Sequence, residues 1–261
     1  PIIDKPMIQH IVEECVEAGI EDIVLITARG KGAILDHFDY SFEVEETLKS
    51  KGKEDLFEAS RKVSKMVNII SVRQKQPLGL GNAVLCAKKI IGDEPFAVLL
   101  GDDLIVSKTP CIRQIIDVAE KQNAPVVGLM TVEKKEVSKY GIVKGKEIGS
   151  NLIEISDLVE KPKPEAAPSQ WAIPGRYVLP ANIFDILENI KPGAGGEIQL
   201  TDALSKLAHE SKFYGYLFEG KRYDTGDKLG LIEATMAFAL ERPELRDATL
   251  KIMKDLIKAN T

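Results

Sequence analysis

"PFAVLLGDDLI", residues 95–105, decides the fold class: an unbroken apolar run, too short for an average helix, meets a glycine and two aspartates. Such a run suits a strand buried on both faces, where alternation is lost because neither side meets water. The same signature recurs in "DIVLITA" (22–28), "MVNIISV" (66–72) and "APVVGLMTV" (124–132), with stretches of helical spacing between them. This rhythm predicts an α/β fold with a mostly parallel central sheet and helices on both faces.

Working outward, Ile8, Ile11, Val12, Cys15 and Val16 recur at helical spacing, with Pro6 in the first turn and Gly19 as a C-cap. The chain opens on a proline in what reads as the tail of a loop, so the reading expects further residues upstream. Residues 36–66 are charged, with helical spacing around Phe42, Val44 and Leu48 and again around Leu56 and Phe57, which predicts a helical insertion on the surface. Residues 138–179 read as shorter strands and turns, a second, extended lobe. From Gly226 the tail is helical twice, with Pro243 starting the second helix. The expected division is a catalytic domain over 1–225 and C-terminal helices over 226–261.

The 261 residues are 44% hydrophobic, enough for a well-buried core. A net charge of −5 with interleaved signs leaves no basic stripe, so no nucleic-acid partner is expected. No apolar run is long enough to span a bilayer and no charged leader is visible, which predicts a cytoplasmic protein with no membrane partner. Cys15, Cys86 and Cys111 are too widely spaced for a zinc site and read as buried free thiols. Motifs for a P-loop, a dinucleotide fold, a zinc hydrolase and a serine-esterase elbow are all missing.

Asp102 and Asp103 lie just past the C-terminal end of a buried strand, the edge where open α/β sheets bind ligands. Adjacent carboxylates repel unless a cation or donors compensate, so the pair is a candidate Mg²⁺ site; alternatively Asp103 caps a following helix. In "LVEKPKP" (158–164) the prolines stiffen a turn that carries Glu160 and Lys161, suited to sugar hydroxyls and a phosphate or else plain surface charge. Gly141 and Gly175 are places where backbone can approach a ligand, or turns. Thr201 and Asp202 sit inside a helical pattern, and Asp224 before Gly226 is a candidate second metal ligand. "VRQKQPLGLGNAVLCAKK" (72–89) is a phosphate cradle, a base-reading loop or a tight turn between strand and helix.

Together "DKPMIQHIVEE", "VRQKQPLGLGNAVLCAKK", "LLGDDL", "YGIV", "DLVEKPKP", "GRYVLP", "GEIQLTDAL" and "RYDTGDKLG" occur in the order and spacing of the bacterial UTP-glucose-1-phosphate uridylyltransferases. The resemblance runs from Pro1 to about Leu240. It implies a Rossmann-like sugar-nucleotidyltransferase fold with a small sugar-binding β lobe, and the conversion of UTP and glucose 1-phosphate to UDP-glucose and pyrophosphate. By resemblance Gln74 and Gly79 meet the uracil, the small residues of that turn letting the base lie against main chain. Asp102 matches the aspartate that holds Mg²⁺ on the nucleotide phosphates. Glu160 and Lys161 match the pair at the glucose hydroxyls and the sugar phosphate, with Gly141 and Ile173 beside the hexose and Asp224 as a second metal aspartate.

The implied mechanism is in-line attack on the α-phosphorus, with Asp102 and Lys161 as the catalytic residues. Two departures stand out: Asn82 replaces a common histidine and receives no role, and the family's first strand and glycine-rich phosphate loop would lie upstream of Pro1. The rivals are a thymidylyltransferase using dTTP and a non-catalytic UDP-glucose-binding regulator. The resemblance further implies a homodimer or homotetramer built with the C-terminal helices.

Overall fold

The computed structural model describes residues 1–193 and 196–260. Helix α1 (Met7–Glu17) leads into β1 (Asp22–Thr27), and α2 (Gly32–Asp36), α3 (Phe42–Ser50) and α4 (Glu54–Ser64) precede β2 (Asn68–Arg73). Next come α5 (Leu80–Leu85), α6 (Lys88–Ile91), β3 (Phe96–Leu99), β4 (Asp103–Val106), α7 (Cys111–Gln122) and β5 (Val126–Thr131). The segment expected to form a second lobe supplies β6 (Gly141–Gly149), β7 (Leu152–Glu160), β8 (Trp171–Ala172) and β9 (Arg176–Leu179), all four of which join the main sheet. The chain closes with α8 (Ile183–Glu188), α9 (Leu200–Glu210), β10 (Tyr214–Leu217), β11 (Lys221–Asp224), α10 (Lys228–Glu241) and α11 (Pro243–Asn260).

The termini of these elements follow local chemistry. Gly19, at φ +86, turns the chain out of α1 in a conformation that L side chains avoid. The Asp227 carboxylate caps α10 by accepting from the Leu229 N–H at 2.9 Å and the Gly230 N–H at 3.3 Å.

The main sheet runs β10-β7-β6-β8-β5-β9-β3, and an extra β10–β5 pairing closes its β5, β8, β6, β7 and β10 strands into a ring. This sheet corrects the expected mostly parallel arrangement, because only β10–β5 is parallel within it. Strands β3 and β5 do run the same way, but β9 is interposed between them and antiparallel to both. An apolar run reports that both faces of a strand are covered; it carries no record of which strand will lie alongside. Parallel pairing does hold between β1 and β2, which form a separate ribbon.

Alternation along β5 shows how the layers form. Val127 and Leu129 join Leu187, Leu204 and Leu207 of α8 and α9, whereas Val126 joins Cys111, Ile115 and Ala119 of α7. Helices therefore cover both faces of the sheet. Cys15 and Cys111 are buried free thiols, and Cys86 is half-buried. No described helix is long and apolar enough to cross a membrane.

One space in this architecture is not filled by side chains. A slot of about 1210 Å³ lies between β1 and β3, lined by Val24, Ile26, Thr27, Ala97 and Leu99 among others. Among the described residues β1 pairs only with β2 and β3 only with β9, so each strand keeps an open edge. The buried Thr27 hydroxyl on this slot has no partner in the described structure.

Candidate active site

Asp102 occupies the turn between β3 and β4, and its backbone carbonyl accepts from the Thr225 N–H at 3.0 Å and the Thr225 hydroxyl at 2.8 Å. Those bonds hold the Asp224–Asp227 turn against the Asp102 turn. Gly226 opens the space between them: a Cβ built there would stand 3.2 Å from Asp102 Oδ2 and 3.4 Å from Asp224 Oδ1. The two carboxylates thus converge on one small space, and oxygen donors of this kind suit Mg²⁺. Among the described residues no group of three or more His, Cys, Asp or Glu is placed to hold a metal. A cation seated there would need phosphate or water oxygens to complete its coordination, as Mg²⁺ commonly does.

Asp103 does not cap a helix. It opens β4, opposite Asp224 in the β4–β11 ladder, and its buried carboxylate takes the Arg222 Nε–H. Burial pushes the Asp103 carboxyl up to about 6, against the pull of the Arg222 charge. Arg222 also donates to Asp224 Oδ2 at 3.1 Å and to the Tyr140 hydroxyl at 2.8 Å. One guanidinium therefore orients Asp224 and links the carboxylate cluster to the strand entrance at Gly141.

At that entrance Gly141 lies opposite Glu160 in the β6–β7 ladder. A Cβ on Gly141 would come 3.0 Å from Thr201 Oγ1 and 3.3 Å from Glu160 Oε2, so the missing side chain keeps a small polar recess open. The Thr201 hydroxyl donates to Glu160 Oε2 at 2.6 Å. Lys161 follows at φ +45, a left-handed conformation uncommon for a residue with a side chain, with its N–H on the Tyr140 carbonyl at 3.0 Å. Its ammonium stands 3.6 Å from Glu160 Oε1 and its side chain is 60% exposed, free to reach an incoming anion. Ile173 donates its N–H to the Gly141 carbonyl at 3.1 Å, yet its side chain belongs to the main core. Burial, and then the Glu160 charge, raise the Asp202 carboxyl above its usual range.

Gln74 follows β2, its N–H on the Thr27 carbonyl at 2.8 Å. Gly79 sits at φ +95 directly before α5, where a Cβ would stand 2.8 Å from the Ile198 carbonyl oxygen. Gly81 would make the same clash, and its N–H donates to that oxygen at 2.8 Å. In this structure these small residues also admit the backbone at Ile198. Gly175, at φ +85, is a turn glycine packed on Leu100.

Residues 1–241 match the nucleotidyl transferase family. The UTP–glucose-1-phosphate uridylyltransferase YngB of Bacillus subtilis strain 168 is 51% identical over 261 residues, which is 100% of this chain and 88% of that protein. The chain belongs to the nucleotidyl transferase family, among its UTP–glucose-1-phosphate uridylyltransferases. Solved structures of this family agree. UDP-glucose pyrophosphorylase complexed with UDP-glucose matches with a TM-score of 0.85 at 42% identity, over 93% of this chain and 89% of that one. UTP-bound UGPase from Acinetobacter baumannii matches with a TM-score of 0.87 at 38% identity, over 98% and 90%.

Three residues that shape this site carried no role in the sequence alone: Arg222, Thr201 as a partner of Glu160, and Asn82, whose Oδ1 accepts from the Gln74 amide at 2.9 Å. Arg222 stands in the same "RYDTGDKLG" stretch as Asp224, two residues earlier, so strand alternation could have put both on one face. The Thr201 contact spans 41 positions of sequence, and no local signal announces it.

Proposed function

We propose that this chain makes UDP-glucose and pyrophosphate from UTP and glucose 1-phosphate by direct in-line displacement. A phosphate oxygen of the sugar phosphate forms a bond to the α-phosphorus as the bond to pyrophosphate breaks, with no covalent enzyme intermediate. The observation that carries the reading is the convergence of Asp102 and Asp224 beside Gly226. In this reading Asp102 and Asp224 hold Mg²⁺, which when bound neutralises charge on the nucleotide phosphates. Lys161 offsets the charge of the attacking phosphate, Glu160 accepts from glucose hydroxyls, and Gly141 keeps room for the hexose. Gln74 and the Gly79 turn read the base. Catalysis on this plan is positioning plus charge complementarity.

Three further parts belong to the proposal. The slot between β1 and β3 is suited to one more strand, which we take to be the family's first strand carrying the phosphate loop; the open edges and the unpartnered Thr27 hydroxyl support this. The exposed Ile252, Leu256, Leu229 and Ile232 of the two C-terminal helices support a homo-oligomer, and a strict monomer in light scattering at micromolar concentration would remove it. The enzyme works in the cytoplasm.

The test is Lys161→Ala in the full-length enzyme. Its kcat/KM is expected to fall by the equivalent of about 2–4 kcal/mol, with an unchanged thermal transition. Near-wild-type kinetics would refute the assignment, and a preference for dTTP over UTP in the parent enzyme would move the reading to a thymidylyltransferase.

A further inference from the structure

Asn82, in the first turn of α5, points its side chain at Gln74 rather than serving the helix that carries it. The Gln74 amide can donate two hydrogen bonds through its nitrogen and accept through its oxygen. Both donors are spent inside the protein, one on the Gly79 carbonyl at 3.1 Å and one on Asn82 Oδ1 at 2.9 Å. Gln74 is only half-buried, so what it has left to offer a ligand is Oε1, an acceptor.

We propose that Asn82 is a specificity-determining residue: with the Gly79 carbonyl it locks the Gln74 amide so that its oxygen faces the base, selecting pyrimidines with an N3–H. The inference rests on the reading of Gln74 as the residue that meets the base. A flipped amide would set Oε1 against the Gly79 carbonyl, two acceptors facing each other, and would lose both donated bonds. Uracil and thymine present N3–H to an acceptor, whereas cytosine presents an N3 lone pair and is repelled. The lock therefore separates UTP from CTP and is indifferent to the choice between UTP and dTTP. That indifference provides an internal control.

The experiment measures kcat/KM and equilibrium dissociation constants for UTP, CTP and dTTP in the full-length enzyme and in Asn82→Leu, Asn82→Asp, Asn82→Lys and Gln74→Leu. Asn82→Leu removes one of the two restraints, and the UTP-over-CTP ratio is expected to fall about tenfold, the scale of one hydrogen bond, while UTP over dTTP stays within twofold. Asn82→Asp keeps the acceptor and retains the discrimination. Asn82→Lys places a donor against the amide nitrogen and lowers the ratio at least as far as Asn82→Leu. If Asn82→Leu does not fold, the Asp and Lys variants still decide the matter. Unchanged UTP-over-CTP ratios in Asn82→Leu and Asn82→Lys, with a collapsed ratio in Gln74→Leu, overturn the role of Asn82 and leave Gln74 as base reader. An unchanged ratio in Gln74→Leu overturns the base-reading assignment itself.

Discussion

Arg176 donates through Nη2 to Glu14 Oε2 at 2.7 Å, an ion pair that ties β9 to α1 beneath the Asp102 turn. The guanidinium is fully buried and also donates to the Asp103 carbonyl at 2.7 Å, while Glu14 Oε1 accepts the Ile112 N–H at 3.0 Å. Four segments of the chain meet at this pair.

Arg176→Met leaves the Glu14 carboxylate buried without its cation, and the expected loss of stability is about 3–5 kcal/mol, measured as the shift of the urea midpoint at constant m. Combining it with Glu14→Leu removes both charges, and the double variant should recover part of that loss. Equal destabilisation by the single and double variants would show that the Ile112 and Asp103 bonds, not the charges, dominate.

Gly226→Ala puts a methyl group into the space where the Asp102 and Asp224 oxygens converge. The expected result is a protein with an unaltered thermal transition and a half-saturating Mg²⁺ concentration in pyrophosphate release raised roughly 10- to 100-fold. An unchanged metal titration would argue that the cation sits elsewhere.

Thr201→Val keeps shape but withdraws the hydroxyl from Glu160 Oε2. The loss of one hydrogen bond to a carboxylate predicts a rise of about tenfold in KM for glucose 1-phosphate, with KM for UTP little changed. A rise confined to UTP would place Glu160 away from the sugar.

His10 supplies the pH dependence. Its Nε2 is buried without a hydrogen-bond partner among the described residues, its ring packs edge-on against Phe238 at 5.1 Å between centroids, and burial lowers its pKa to about 4. The unfolded chain takes the proton first, so this contribution to stability is fully present above about pH 6.5 and is lost as pH falls from there towards 4. Melting temperatures from pH 7.5 to 4.5 should fall less steeply for His10→Leu than for the parent. Parallel profiles would assign the acid sensitivity to other groups.

Several parts of this molecule could be read along the chain because their signals are local. Strands at 22–28, 66–72 and 95–101, the Pro6 and Pro243 helix starts and the Gly19 stop all depend on neighbours within a few residues. Burial on both faces does not, and β2, paired only with β1 among the described residues, is mostly exposed while β1 and β3 are half-buried. The chemistry at the end of β3 was legible for the same reason, since paired aspartates beyond an apolar run are a local anomaly. Asp103, by contrast, had a helix-capping alternative in sequence that only its strand partner and Arg222 removed.

The sequence by itself determined the α/β class, the positions of the strands and, through motifs in a particular order, the family. Only the tertiary structure decided that β9 lies between β3 and β5, that Gly226 brings Asp102 and Asp224 together, that Thr201 holds Glu160, and that Asn82 orients Gln74. Burial and capping are set by the residue and its near neighbours. Strand neighbours and side-chain partners are chosen by which distant surfaces complement each other once the core has formed, and a linear pattern carries no record of that choice.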